Sequence, residues 1–221
     1  MTDRAGVWII TVDVPPAVAE RCERVLDGGE RARAAAFLSG RDRQRFIIAH
    51  GALRIVVASE LRARPAALRW TLGPHGKPEL AGFGLHTSLS HSGDLIAVAI
   101  SAGRQVGVDI QHVDPGLDTV GLSGRFFPPD EFQYVAAGQN ASARADRFAH
   151  LWVRKEAVVK ASGGRIWANL NVAVLERAVV TSAELCKPHR VADVAVPRGF
   201  RCAVALTGAA PFVTKAVGWP C

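Results

Sequence analysis

The stretch L-W-V-R-K-E-A-V-V-K-A-S-G-G, residues 151–164, predicts the last turns of a helix around which the rest of the chain is arranged. Its apolar residues recur on one helix face, no proline interrupts it, and its two closing glycines suit a helix end. Trp152, Glu156 and Lys160 share one face, with the carboxylate one turn before the ammonium. Such a pair usually lies in solvent and contributes about 0.3–0.5 kcal/mol, so a functional interpretation depends on the rest of the chain.

Composition and charge describe a globular protein with an anionic partner. The 221 residues are 49% hydrophobic and 21% charged, which does not fit a disordered chain. A net charge of +7 indicates binding to nucleic acid, a phosphate-rich ligand, an acidic protein or a membrane surface. Four scattered cysteines without C-x-x-C spacing indicate neither a zinc site nor a disulfide framework. No apolar run is long enough for a signal peptide or a membrane span, so we expect a cytoplasmic protein.

The first half of the chain is predicted to be helical and then β-rich. A short buried strand at 7–12 precedes helices that run from 17 to about 64, with a break near Gly40 and several clustered arginines. Residues 87–110 have a strand pattern throughout. The two runs on either side of Gly103 are predicted to pair with each other as a hairpin.

Asp109 is the residue of this region that suggests chemistry. It lies between Val108 and Ile110, and alternation along a strand puts its carboxylate on the face opposite to these aliphatic side chains. Burying a carboxylate without a partner is costly. A functional role is therefore harder to dismiss here than for a lone histidine such as His91, which would more often be structural.

The second half repeats the order of helices and strands. A loop at 114–124 is followed by a short helix, by the central helix at 143–162, and by short strands over 166–221. The runs L-I-A-V-A-I-S at 95–101 and C-A-V-A-L-T at 202–207 resemble each other. This similarity suggests a duplicated unit.

Five motifs carry a resemblance to a known family. They are G-K-P at 76–78, S-H-S-G-D at 90–94, G-V-D-I at 107–110, F-F-P-P-D-E at 126–131 and W-V-R-K-E-A-V-V-K at 152–160. With these motifs in this order, the chain resembles the surfactin-synthetase type of 4′-phosphopantetheinyl transferases. The resemblance implies a magnesium-dependent enzyme that moves the phosphopantetheine arm of coenzyme A to a serine of a carrier protein and releases adenosine 3′,5′-bisphosphate.

The resemblance also implies the architecture. We expect an α+β fold of two similar subdomains, residues 1–108 and 109–221, with the active site and coenzyme A in the cleft between them. The length of the chain matches the two-lobed members of the family, so we expect a monomer.

Single residues of this sequence match functional positions of the family. Asp109 and Glu156 match metal ligands, and Glu156 also matches the general base that takes the serine proton. Lys160 matches a pyrophosphate contact that stabilises the leaving group. The resemblance also implies contacts to coenzyme A, in which His91 binds the 3′-phosphate. The residues concerned are Arg33, Arg45, Gly76, Lys77, Ser90 and His91.

One position departs from the family pattern. Where many members have a second acid, this chain has Gln111, which offers a neutral carbonyl oxygen. The cation would be held by Asp109 and Glu156, with Gln111 or water completing its shell, so its affinity and the choice between magnesium and manganese stay open. Lys155 also matches a motif position, but the sequence assigns it no role.

Two other functions fit parts of the sequence. A nucleic-acid binder would explain the charge, but it should place aromatic residues between the cations, and the aromatic content is only 7%. A phosphohydrolase would keep the metal site and would position a water in place of a docked carrier, which the sequence leaves open. We favour the transferase, because the carrier domains that this family modifies are acidic. Whether the carrier belongs to fatty-acid, polyketide or peptide synthesis stays open.

Overall fold

The chain folds into two β-sheets that pack face to face, with helices covering the outer face of each. The computed structural model describes residues 3–73, 77–164 and 170–219. It confirms the predicted α+β class. None of the helices in these ranges combines the length and the apolar character that a membrane span requires.

The elements follow one another in two helix-and-strand series. The first series comprises β1 (Asp3–Thr11), α1 (Pro16–Val25), α2 (Gly28–Ala35), α3 (Gly40–Leu61), β2 (Trp70–Leu72), β3 (Pro78–Leu80), β4 (Leu85–Ser92) and β5 (Leu95–Ala102). The second series comprises β6 (Val106–His112), α4 (Thr119–Phe126), α5 (Pro129–Ala136), α6 (Ala141–Ser162), β7 (Val179–Val180), β8 (His189–Asp193), β9 (Phe200–Thr207) and β10 (Phe212–Val217). A short 3-10 helix, Pro65–Ala67, precedes β2.

Three strands of each sheet follow the same order. The first sheet has the order β10-β1-β5-β4 and the second has the order β6-β9-β8-β7, while β2 and β3 form a separate hairpin. Strands β1, β5 and β4 thus correspond to β6, β9 and β8, with the same antiparallel pairings. The two similar sequence runs lie in β5 and β9, at equivalent positions. This repetition agrees with the predicted pair of similar subdomains.

The chain passes from the first series of elements to the second at β6. The second series begins at Val106, so the predicted division at residue 108 falls inside this strand. Strand β10, from the end of the chain, pairs in parallel with β1 in the first sheet. The division into residues 1–108 and 109–221 stays a prediction.

The predicted hairpin across Gly103 is wrong. Strand β5 pairs with β1 on one edge and with β4 on the other, so it has no free edge for β6. The chain instead crosses to the second sheet, where β6 pairs with β9. The tight hairpin of this region is β4–β5, which turns at Gly93 with a φ of 54°.

Two helical segments also differ from the prediction. The first helical region has a second break at Asp27, whose side chain accepts a hydrogen bond from the backbone N–H of Glu30 and caps α2. Helix α4 occupies part of the segment that was predicted to be a loop, and Asp118 caps it by accepting from the N–H of Gly121 at 2.9 Å. Both helices are short, and capping residues also favour turns, so the local sequence is ambiguous.

Side-chain alternation divides the core into three layers. In the first sheet, larger side chains such as Trp8 and Val98 pack against α3, while Ala97 and Ala99 face the second sheet. In the second sheet, Val108 and similar residues face the first sheet. As predicted, Asp109 points to the opposite side, toward α6.

Helix α6 packs directly on β6, and Gly107 makes this contact possible. A Cβ atom at this position would lie 2.0 Å from the carbonyl oxygen of Ala157 and 2.4 Å from the backbone nitrogen of Ala161. The G-V-D motif therefore needs glycine because two backbones approach each other here. The helix ends at Gly163, which has a φ of 72°, as its closing glycines predict.

We expect Gly107→Ala to lower the free energy of unfolding by about 1–3 kcal/mol, because the added methyl group must push α6 away from β6. Urea unfolding followed by circular dichroism measures this change. Gly84→Ala is the matched control, since a Cβ at Gly84 meets nothing within 4 Å. If both variants lost the same stability, the close approach at Gly107 would not constrain the helix.

Candidate active site

A cavity of about 900 Å³ opens between the first half of the molecule and the C-terminal end of α6. Helices α2 and α3, the β2–β3 hairpin, β4 and α6 all line it. Its charged lining residues are the basic Arg33, His50, Lys77 and Lys160 and the acidic Asp27 and Glu30, and its apolar ones include Leu53, Trp70 and Leu89. Such a lining suits a ligand that carries phosphates on an otherwise uncharged body.

Two buried carboxylates come together beside this cavity. Asp109 at the middle of β6 is 5% exposed, and Glu156 on α6 is 3% exposed. The Oδ1 atom of Asp109 accepts hydrogen bonds from Ser90 Oγ and from Lys160 Nζ, each at 2.6 Å. Asp109 Oδ2 and Glu156 Oε1 are buried without a hydrogen-bond partner among the described residues. Two unpartnered carboxylate oxygens fit a hard divalent cation, which takes oxygen ligands.

The environment of Glu156 makes it a weaker acid. Burial, followed by the negative charge of Asp109, raises the pKa of Glu156 to about 7, while Lys160 partly opposes this shift. A carboxylate with a pKa near neutrality holds and releases a proton in the range where a general base works best.

Gln111 follows two residues after Asp109 and is half-buried. Its Nε2 donates to the carbonyl oxygen of His112 at 3.3 Å. Among the residues that the structure describes, no three His, Cys, Asp or Glu side chains gather into a metal site. Binding of a cation by Asp109 and Glu156, with Gln111 as a third ligand, stays a prediction.

The charges of several basic side chains act on His91. His91 is exposed, and its pKa is lowered by partial desolvation, by the positive charge of Arg45 and, more weakly, by Lys160 and His50. Arg33 lies over the ring of Phe46 at 5.2 Å. Arg45, Lys160 and His50 thus place positive charge around His91, as suits an anion-binding site, although Arg45 also pairs with Asp42.

Lys77 extends from the loop before β3 to the start of β6. Its Nζ donates to Gln105 Oε1 at 2.9 Å and to the carbonyl oxygen of Val106 at 3.0 Å. Burial lowers its pKa to about 8. Lys77 therefore links the two halves of the molecule at the cavity wall, while Gly76, its predicted neighbour in the site, lies outside the described residues.

The structure assigns Lys155 a structural role that the sequence does not reveal. Its fully buried ammonium pairs with Glu131 Oε2 at 2.5 Å, lies 4.6 Å from the centre of the Phe127 ring and donates to the carbonyl oxygen of Val172. Glu131 Oε1 in turn accepts from the backbone N–H of Leu175 at 2.9 Å. This pair ties α5, α6 and the segment before β7 together.

Sequence reasoning missed His50, which lies on the wall of the cavity. Its ring stacks on Phe46 at 4.0 Å, and its Nδ1 lies 3.4 Å from Glu30 Oε1. Glu30 also accepts from Nε of the buried Arg54 at 2.6 Å. The sequence does contain a pattern that indicates this position. Phe46, His50 and Arg54 recur on one face of α3, where two polar residues interrupt an apolar helix.

Comparison with known proteins relates the chain to one family. Residues 105–205 match the model of the 4′-phosphopantetheinyl transferase superfamily. The chain is 31% identical to the 4′-phosphopantetheinyl transferase HetI of Nostoc sp., over 75% of this chain and 71% of HetI. It is 28% identical to a 4′-phosphopantetheinyl transferase of Bacillus subtilis, over 71% of this chain and 70% of that protein.

Proposed function

Because the chain belongs to the 4′-phosphopantetheinyl transferase superfamily and transfers the 4′-phosphopantetheine group of coenzyme A to a carrier protein, we propose that the carboxylates of β6 and α6 carry out this transfer. The observation that carries the proposal is the pair of unpartnered, buried oxygens, Asp109 Oδ2 and Glu156 Oε1. Lys160, which donates to Asp109, also lines the cavity, whose volume of about 900 Å³ is typical of a ligand site.

In the proposed reaction, the serine Oγ of the carrier bonds to the β-phosphorus of coenzyme A. The bond from this phosphorus to the bridging oxygen breaks, and adenosine 3′,5′-bisphosphate leaves with the electron pair. Glu156, whose Oε1 has no hydrogen-bond partner among the described residues, accepts the serine proton. Lys160, whose ammonium lies 2.6 Å from Asp109 Oδ1, stabilises the charge that develops on the leaving group.

Asp109 and Glu156 are the residues that would hold a magnesium or manganese ion, with Gln111 as a possible neutral ligand. When bound, the cation supplies positive charge against the pyrophosphate. We propose phosphate and nucleotide contacts to coenzyme A for the basic residues of the cleft and for the loop before β3. These residues are Arg33, Arg45, Gly76, Lys77, His91 and Lys160.

The finer identity of the enzyme is also a proposal. We propose a holo-acyl-carrier-protein synthase activity, carried out by a monomer in the cytoplasm. The net charge of +7 favours acidic carrier domains of fatty-acid, polyketide or peptide synthesis as partners.

Intact mass spectrometry tests the function. Purified protein is incubated with coenzyme A, magnesium and apo carrier proteins of the three kinds. A mass gain of one phosphopantetheine arm, absent in the presence of a chelator, is the expected result. Cleavage of coenzyme A without any gain on a carrier would instead indicate a phosphohydrolase.

We expect Gln111→Glu to lower the magnesium concentration for half-maximal transfer by about tenfold, since a third carboxylate adds charge to the cation site. A magnesium titration of the transfer rate measures this. Gln133→Glu adds the same charge at an exposed position of α5 and serves as the control. An unchanged magnesium dependence in Gln111→Glu would place residue 111 outside the cation shell.

A further inference from the structure

A second cavity, of about 610 Å³, lies at the C-terminal end of α3. It is lined by α1, by the last turns of α3, by Trp8 of β1 and by Gly218, which follows β10. We call it the α3 cavity. Among the residues that the structure describes, the α3 cavity and the active-site cavity share no lining residue. Its volume lies within the range of about 300–1,000 Å³ that small-molecule sites occupy.

The α3 cavity is the counterpart, in the first half of the fold, of the active-site cavity. Helices α3 and α6 each cover one sheet, and each ends at a residue in the left-handed conformation, Arg62 with a φ of 51° and Gly163 with a φ of 72°. Each of these two residues lines the cavity at the end of its own helix. The repeated unit therefore carries one cavity in each copy, at the same place.

The side chains that carry the chemistry differ between the two copies. Ile55 has the position relative to Arg62 that Glu156 has relative to Gly163. Trp8 faces the covering helix from β1, as Asp109 does from β6. The α3 cavity thus has apolar side chains where the active site has its two carboxylates. This composition suits the binding of a ligand and not the transfer of a proton.

The buried lining residues of the α3 cavity are apolar, and its exposed ones are mostly charged. Trp8 is 5% exposed and Ile55 is 6% exposed. Arg21 of α1 and Arg62 are exposed, and neither has an ion pair or a side-chain hydrogen bond among the described residues. Glu60 is the one acidic residue among the described residues of the lining. Two guanidinium groups against one carboxylate give the mouth of the cavity a net positive charge.

Arg62 holds a backbone conformation that does not favour arginine. A φ of 51° is uncommon for a residue with a side chain and costs free energy, whereas glycine adopts it freely. The corresponding residue of α6 is a glycine, Gly163. The chain therefore keeps a guanidinium group at the mouth of the α3 cavity although glycine would suit the backbone better.

We propose that the α3 cavity binds an amphipathic anion, whose apolar chain lies on the buried lining and whose carboxylate or phosphate head pairs with Arg21 and Arg62. Guanidinium groups bind both kinds of head through paired hydrogen bonds. Removing the apolar chain from water favours binding as well. Binding there uses none of the active-site residues and is independent of the proposed transfer.

Four ligands with one ten-carbon chain test the α3 cavity. They are decanoate, decyl phosphate, decanol and decylamine, each kept below the concentration at which it forms micelles. Calorimetry gives their affinities with and without coenzyme A, and the fluorescence of Trp8 and the other tryptophans reports on binding beside the cavity. We expect the two anions to bind at least tenfold more tightly than decanol and decylamine, with no competition from coenzyme A. A preference between the two anions then identifies the head group.

Variants of the arginines locate the head group. Arg62→Gly should weaken decanoate binding by about tenfold without lowering Tm, because it removes a charged hydrogen-bond donor and relieves the backbone. Arg21→Gln should have a similar effect on decanoate. The affinity for decanol should stay within about twofold in both. Arg64→Gly, at an exposed position that does not line the cavity, is the control and should leave decanoate binding unchanged.

Three results would overturn the proposal. Absence of decanoate and decyl phosphate binding at millimolar concentration would refute the site, and equal affinities for decanoate, decanol and decylamine would refute its preference for anions. Competition between decanoate and coenzyme A would place the ligand in the active-site cavity instead. Failure of the natural protein to modify any carrier bears only on the proposed function, and the mass-spectrometric assay detects it separately.

Discussion

Glu156→Gln should abolish phosphopantetheine transfer and, at the same time, make the protein more stable at pH 8. We expect at least a thousandfold loss of rate, because glutamine can neither accept the serine proton nor supply a charged ligand. The gain in stability follows from the pKa of about 7 that burial and the charge of Asp109 impose on Glu156 in the folded protein.

The sign of the pH dependence follows from proton binding. The ordinary pKa of 4.5 applies in the unfolded chain, so between pH 4.5 and about 7 the folded state binds more protons. Stability from this group is therefore present at low pH and is lost as the pH rises through 7. Glutamine does not ionise, so the variant avoids this loss.

Thermal unfolding at pH 5.5 and at pH 8, without divalent cations, measures the effect. The advantage of Glu156→Gln should grow between these two values to about 1–3 kcal/mol, or roughly 2–10 °C in Tm. Glu60→Gln, at an exposed position near the end of α3, is the control and should show no such trend. A difference in Tm that does not change with pH would contradict the raised pKa.

Lys155→Met should destabilise the fold by about 3–5 kcal/mol, although this lysine lies next to the proposed general base. The substitution leaves Glu131, which is fully buried, without its cationic partner, and an uncompensated buried charge is costly. Urea unfolding gives the change in the free energy of unfolding. The double variant Lys155→Met with Glu131→Gln should recover much of the loss, because it removes both charges while an amide oxygen is kept for the backbone N–H groups.

Lys160→Met is the matched comparison on the same helix. Lys160 is about a quarter exposed, so its loss should change stability far less than the loss of Lys155, while transfer should fall strongly. If the two lysine variants lost similar stability, the buried pair would not anchor α6.

The sequence predicted the position of the carboxylates better than the pairing of the strands. Alternation placed Asp109 opposite to Val108 and Ile110, and the closing glycines placed the end of α6, because both depend on neighbouring residues alone. The hairpin across Gly103 failed because pairing depends on which edges are free. Strand β5 has neighbours on both edges, and one of them, β1, comes from the start of the chain.

The two motif lysines show that side-chain contacts between distant segments are also hard to predict from the sequence. Lys155 and Lys160 both lie on α6, but only the fold reveals that the first points toward Glu131 and the second toward Asp109. Likewise, the S-H-S-G-D motif indicated a ligand site, while the bond from Ser90 to Asp109 depends on how two sheet edges meet. Contacts between distant segments have no local signal.

The pairing of β10 with β1 sets an order of events during protein synthesis. Asp3 aligns with Phe212, so this edge of β1 stays without its neighbour until the segment around residue 212 has left the ribosome. An open strand edge readily recruits other chains. A truncation before β10 would keep this edge open permanently, and nascent or shortened chains would aggregate through β1 even though α6 and the carboxylate pair were intact.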